Sequence, residues 1–424
     1  MNFEIREFGR FSLWCLGITL LIAIGLGAVS VAQSTVRSMP ASGDGLTQPS
    51  VFNVLHAFKD PKNGLGPTGL IRDSAGNFYG VTGVGGDLNC DLTGSLGCGI
   101  VYSLNPAGRE AVLHRFNGNP TDEGGPLGSL VRDDNGNLYG ITNGSPLYCG
   151  TVFKLDKQGT ETVLHVFSCG ADGGLPQAGL LRDSAGNLYG TTSFGGASNF
   201  GIVFKMDSSG KETVLHSFTG GADGGLPSTE LIRDSAGNLY GTAGGGISGQ
   251  GVIFKLDTAG QETVLHNFTR AEGSGPDTRL LRDAAGNLYG TTSSGGDLAC
   301  NITGSPGCGT VFKLSRTRTL TVLHTFTGKS DGGIPSADLV RDAAGNLYGA
   351  TGAGGNVNDC EGSGCGVVFQ FNPQNVETVL HTFTGGTDGG VPAGLLLAAN
   401  GNLYGTTAIG GGGQDVGVIF KISR

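Results

Sequence analysis

The chain has 424 residues, a formal net charge of −9, 81 glycines and only 14% charged residues. An acidic chain with no lysine- or arginine-rich stripe offers no footprint for nucleic acid or for an anionic membrane surface. Glycine at this density without a three-residue period would suggest low complexity. Here the glycines fall at fixed places in a repeat, where they serve turns and close strand approach.

Met1 to Arg10 is short and polar, and an apolar run from Phe11 to Ala32 follows, ending in the small-x-small pattern Ser30-Val31-Ala32. This predicts a secretory signal peptide over residues 1–32. The run is long enough that an uncleaved N-terminal anchor is the competing reading, and the only expected membrane contact is through this segment. Residues 33–50 are polar and rich in Ser, Pro and Gly, and read as a flexible leader. The protein is thus expected to be secreted, periplasmic or displayed at the cell surface.

From residue 51 to 424 one unit recurs seven times, and its cleanest copy is GLLRDSAGNLYGTTSFGGASNFGIVFKMDSSGKETVLHSFTG, from Gly179 to Gly220. It holds four short apolar runs, named here A (LLRD), B (NLYGTT), C (GIVFKM) and D (ETVLHSF). Asp-Ser-Ala-Gly-Asn joins A to B and Asp-Ser-Ser-Gly joins C to D, with Asp as the capping acceptor and Gly where φ turns positive. A four-stranded antiparallel unit at this period is the signature of a propeller blade. The prediction is an all-β, seven-bladed propeller as a single domain over residues 51–424, expected to be monomeric. Its phase is offset: the repeat opens on a lone D strand, Val51 to Phe58, and closes on an A-B-C set without D. Strand 51–58 is therefore expected to join the C-terminal blade and close the ring, since open edges invite aggregation.

The A-B and C-D hairpins are tight and nearly constant, so loops B-C and D-A share the opposite face and carry the length variation. Variable loops on a rigid scaffold are the usual seat of binding. After the leader eight cysteines remain, and proximity pairs them as Cys90/Cys98, Cys149/Cys169, Cys300/Cys308 and Cys360/Cys365, all on the long-loop face. Behind a signal peptide these read as disulfides. A zinc site would need four thiolates to converge, and the pairs lie on blades far apart.

All seven histidines, His56, His114, His165, His216, His266, His324 and His381, occupy one position of strand D. A residue repeated once per blade on an outer strand reads as structural, with the Arg-Asp pair of strand A as its expected partner. The Asp-Gly-Gly-x-Pro loops at Asp172, Asp223, Asp331 and Asp388 read as turns, because the calcium-loop spacing is absent. No metal, cofactor or catalytic residue is assigned. Function in a repeat should appear where copies differ. Those departures are Tyr148, Phe194 and Phe200 in B-C loops, Arg270, Glu272 and Arg279 around a D-A loop lacking Asp-Gly-Gly, and Asp297, Asp359 and Glu361 in the disulfide loops.

The consensus VFKLDxxGxETVLHxFTGGxDGGxPxxxLxRDxxGNLYGTTxxGG resembles the Gloeo/Verruco (GloVer) tandem repeat of exported bacterial proteins, across residues 51–424. The resemblance implies an extracellular or surface propeller and implies no activity or catalytic residues. Family members are described by varied C-terminal anchoring signals. This chain departs from that pattern, ending on Ser423-Arg424 straight after a strand. The expected function is an extracellular ligand- or partner-binding scaffold without catalysis. The alternatives are a carbohydrate-active hydrolase or lyase, whose acids can come from different blades, and a structural envelope protein. Converging acids in the central channel would favour the enzyme, and an apolar patch on the long-loop face would favour the binder.

Overall fold

The computed structural model describes residues 50–90, 96–119, 124–144, 149–302, 304, 306–412 and 416–424. The expected signal peptide, almost all of the expected leader, and Tyr148 lie outside these residues.

Blades 1 to 6 each start from a turn that an aspartate closes on itself. In the Asp183 copy, Oδ1 accepts the backbone N–H of Asn187 (2.9 Å), while Oδ2 accepts the Asn187 amide (2.9 Å) and the Tyr189 hydroxyl (3.1 Å). Gly186 takes φ +87° there, a region costly for a side chain. The turn places Leu181–Arg182 beside Leu188–Thr192, and two further hairpins add Ile202–Met206 and Glu212–Ser217 in antiparallel order. Seven such sheets form the propeller, blade 1 running from Leu65 to Arg115. In blade 6 the inner strand is broken into Gly333–Pro335 and Val340–Arg341, which both pair with Leu347–Ala353.

Ring closure follows the predicted phase. Val51–Ala57 pairs antiparallel with Val418–Ser423 as the outermost strand of blade 7, with Val51 opposite Ser423 and Ala57 opposite Val418. Phe58 then donates its N–H to the Gly417 carbonyl (3.1 Å), the bond that Phe218 makes to Gly201 (3.0 Å) within blade 3.

The core lies between blades. The phenylalanine ending each D strand packs against the strand C aromatic of the next blade, as Phe218 does on Phe254. The same contact recurs at all seven interfaces, with centroids 5.0–5.4 Å apart. These rings are fully buried and dominate the packing energy. Strand B has glycine under each ring for a steric reason: a Cβ on Gly190 would lie 2.6 Å from Phe204 Cζ.

Two polar contacts also repeat around the ring. The residue before the inner-strand proline donates its N–H to the loop carbonyl of the preceding blade, as Leu226 does to Phe200 (2.7 Å) and Ile334 to Cys308 (2.8 Å). Four of these donors, Leu175, Leu226, Ile334 and Val391, hold φ between +52° and +57° to reach that carbonyl. For the β-branched Ile334 and Val391 this is a strained backbone, maintained by the surrounding packing. The second contact stacks the strand A arginine over the strand B tyrosine of the preceding blade, as Arg233 lies 5.9 Å from the Tyr189 ring.

Candidate functional site on the propeller axis

The histidines are placed by outer strand D, as expected, but their partners differ from the Arg-Asp pair. The arginine of that pair covers a tyrosine and the aspartate closes its own turn. Each histidine instead faces the D-A loop acid of its own blade or the strand D acid of the next. His165, His324 and His381 lie 3.1–3.3 Å from Asp172, Asp331 and Asp388, and His56 lies 3.1 Å from Glu110. At the interface of blades 6 and 7 the next-blade position is Phe52, whose ring stacks on His381 at 3.7 Å. The Asp-Gly-Gly aspartates cap their loops. Asp223 Oδ2 accepts the Thr219 N–H (2.8 Å), and Asp331 Oδ1 accepts the Thr327 hydroxyl (2.6 Å).

The long-loop face carries four disulfides, Cys90–Cys98, Cys149–Cys169, Cys300–Cys308 and Cys360–Cys365, with Cα separations of 5.4–5.6 Å. Phe200 belongs to the same structural column. It stands where Cys308 and Cys365 stand in blades 5 and 6. A Cβ on Gly220 would meet its ring at 2.5 Å, as Cβ atoms on Gly328 and Gly385 would meet the disulfide sulfurs. Glu272 likewise replaces the loop aspartate, since it accepts the N–H and hydroxyl of Thr269 (2.9 and 2.8 Å) and faces His266 (3.3 Å). Arg270 is exposed and reaches Gln250 at 3.5 Å. Asp297 caps its own loop, Asp359 accepts the Asn356 amide, and Glu361 is exposed. Phe194 bridges to Gly174 and stays partly exposed. Among the described residues no hydrogen bond or ion pair joins any two of these candidates.

Arg279 is different, because it finds partners that sequence reasoning passed over. The residue before the inner-strand leucine lines the axis, and around the ring it reads Gly69, Ser129, Gly179, Glu230, Arg279, Asp338 and Gly394. Three consecutive blades, 4 to 6, bring charges there. Arg279 Nη1 donates to Glu230 Oε2 (3.2 Å), and its Nε lies 3.3 Å from Asp338 Oδ2. Its backbone N–H donates to Asp338 Oδ1 (2.8 Å). Glu230 Oε1 reaches past blade 3 to accept the N–H of Ser129 in blade 2 (3.1 Å). Glycine at 179 permits this: a Cβ there would sit 2.2 Å from Glu230 Oε1.

All four carboxylate oxygens of the trio are thus engaged. Burial holds the Glu230 carboxyl above the usual range in spite of Arg279. Asp277, two residues before Arg279, is exposed and accepts a hydrogen bond from Ser293 (2.7 Å). An open cleft of about 270 Å³ is lined by Arg233, Arg279 and Arg282 with Ile232, Leu281 and Leu339. The signal in the sequence was one column of glycine and serine broken by Glu, Arg and Asp in successive copies.

The repeat itself decides the family. The model of the Gloeobacter/Verrucomicrobia repeat matches residues 45–246, 88–303 and 242–424. The chain belongs to this repeat family. No curated protein matches it. Among solved structures, virginiamycin B lyase from Staphylococcus aureus aligns with TM-score 0.57 at 12% identity, over 88% of this chain and 99% of that one. The extracellular domain of a hybrid two-component system from B. thetaiotaomicron aligns with TM-score 0.52 at 13% identity, over 88% of this GloVer-repeat chain and 41% of the other. At these identities the likeness concerns the propeller fold alone.

Proposed function

We propose that this repeat protein is an exported binding scaffold whose long-loop face engages an extracellular ligand or partner, without catalysis. One observation carries the reading. The chemistry that repeats sevenfold is consumed by blade-to-blade contacts, whereas several large apolar side chains stand exposed on the long loops of neighbouring blades. Leu226 (49% exposed) stands on the loop that enters blade 4, Ile247 (79%) on the B-C loop of blade 4, and Phe194 (38%) on that of blade 3. Exposed apolar groups gathered on one face of a soluble scaffold mark interaction sites. Four disulfides suit an oxidising compartment, which supports export.

The hydrolase alternative has one observation in its favour, the convergence of Glu230 and Asp338 on the axis. Their oxygens are spent on Arg279 and on backbone N–H groups, which leaves no free carboxylate to activate water or protonate a leaving group. The test is a melting-temperature screen of residues 33–424 against oligosaccharides, envelope polymers and candidate proteins, with product analysis in parallel. A ligand at about 100 times its Kd should stabilise by roughly 2.7 kcal/mol. The reading expects a saturable shift, abolished by Ile247→Ser with Leu226→Ser, and no product. Turnover that vanishes in Glu230→Gln would replace it with the hydrolase.

A further inference from the structure

We propose that His324, Asp331 and Glu377 form a binding site for a divalent transition-metal ion of the zinc class, clamping blade 5 to blade 6. His324 comes from strand D of blade 5 (Leu320–Thr325), Asp331 from the loop that enters blade 6, and Glu377 from strand D of blade 6 (Glu377–Thr382). Among the described residues this is the one set of three His, Cys, Asp or Glu side chains whose donor atoms all lie within 4.8 Å of one another.

The spacing suits a metal better than a hydrogen-bond network. His324 Nε2 lies 3.3 Å from Asp331 Oδ2 and 3.8 Å from Glu377 Oε2. One imidazole nitrogen can donate to only one of them, and 3.8 Å is too long for a hydrogen bond. Ligand atoms about 2.1 Å from a tetrahedral zinc stand about 3.4 Å apart, so only small side-chain movements separate the three from coordination. Glu377 Oε1 is buried with no hydrogen-bond partner. The same atom is unpartnered on the strand D glutamates Glu110, Glu212 and Glu262. Among the described residues, however, only Glu377 is also close to both a histidine nitrogen and a second carboxylate, and two carboxylates side by side call for a proton or a cation between them. Asp331 is already oriented by the Thr327 N–H (2.8 Å) and hydroxyl (2.6 Å), the outer support that metal ligands typically receive. An imidazole with two carboxylates selects zinc or a similar first-row ion over calcium, which takes oxygen ligands throughout. The three side chains keep 15–22% of their surface, enough for water to complete the coordination. The same three residue types meet at His165, Asp172 and Glu212 and at His216, Asp223 and Glu262, but there the donor atoms do not all come within 4.8 Å of one another. The two interfaces flanking this one lack a member of the set. Leu320 replaces the glutamate facing His266, and Phe52 replaces the one facing His381.

The experiment is a zinc titration by calorimetry of the chelator-treated, oxidised full-length protein, with cobalt absorption as a second readout. About one zinc per chain is expected, with a saturable rise in melting temperature that chelator reverses. Glu377→Gln, which keeps the shape and removes the charge, should weaken binding at least tenfold and abolish the cobalt bands, while His381→Gln should change neither. Absence of zinc uptake by the native protein would overturn the proposal. So would equal uptake by Glu377→Gln and His324→Gln, which would place the ion elsewhere.

Discussion

The guanidinium of Arg424 lies 4.5 Å from the centroid of the Tyr348 ring and 3.7 Å from Asp342 Oδ2. In every other blade that position over the tyrosine belongs to the strand A arginine of the next blade. Blade 7 has Leu397-Ala398 in place of the Arg-Asp pair, and a cleft opens there between Arg341 and Gly401. The missing arginine is thus supplied from strand C of the same blade, one residue past its last paired position. Arg424→Ala should destabilise the propeller by about 1 kcal/mol, the worth of a partly exposed cation over an aromatic ring. Adding Leu397→Arg should restore the loss. Denaturant melts of the three proteins would decide, and a failure of rescue would mean that Arg424 acts through Asp342 alone.

The closing strand has no substitute of that kind. Removing residues 51–58 exposes the whole edge of Val418–Ser423 and empties the Phe58 site against Tyr102. The expected product aggregates or elutes as large species in size-exclusion chromatography. A soluble deletion with an unchanged melting temperature would refute the closure.

The axial trio should respond to pH when its cation is removed. Arg279→Met leaves Glu230, already raised by burial, facing Asp338 with nothing between them. Breaking a fully buried pair costs about 3–5 kcal/mol. Arg279 keeps 38% of its side-chain surface, so a loss of about 2 kcal/mol is expected at pH 8. A carboxyl whose folded pKa is raised binds its proton more tightly when folded, so the variant loses stability as pH climbs from the unfolded value through the folded one. The loss at pH 5 should therefore be smaller than at pH 8, and equal losses at both would contradict the ionised pairing described above.

Glu262 provides a cleaner titration. Burial, and then the nearby charge of Asp223, push its carboxyl up to about 7, and His216 stands 3.6 Å from that same Asp223. The sign is that of a raised acid: no penalty below the unfolded value, a growing penalty up to about pH 7, and a constant one above. His216, held low by burial, acts in the opposite sense over part of this range, so the native curve alone would not isolate the effect. The difference in melting temperature between Glu262→Gln and the native protein should grow from pH 5 to about pH 7 and then level off. A flat difference would place that glutamate in solvent.

The propeller was legible because each blade repeats the same local instructions: an aspartate-glycine turn, a glycine under an aromatic ring, and a phenylalanine for the next blade. Disulfide pairing was legible for the same reason, since each pair is local. The axial trio was not, because Glu230, Arg279 and Asp338 are far apart in sequence and meet only when their strands are arranged around a common axis. Of the three, Arg279 alone drew attention, through an atypical loop. Phe200 misled in the other direction: it breaks the pattern in sequence, yet in space it fills the place of a disulfide. Arg424 could not be read as part of a strand A column at all, because it arrives from strand C.

The pairing of Val51–Ala57 with Val418–Ser423 also sets an order in time. The first strand of the repeat region to be synthesised finds its partner only when the last has emerged. Six blades can assemble from near neighbours, while this contact spans almost the full chain and carries the largest loop-closure cost. The seam of blade 7 is therefore expected to be the last part of the ring to form. Until it forms, two strand edges are available to other chains, so the yield of native protein should fall with concentration during refolding more steeply than its equilibrium stability would suggest.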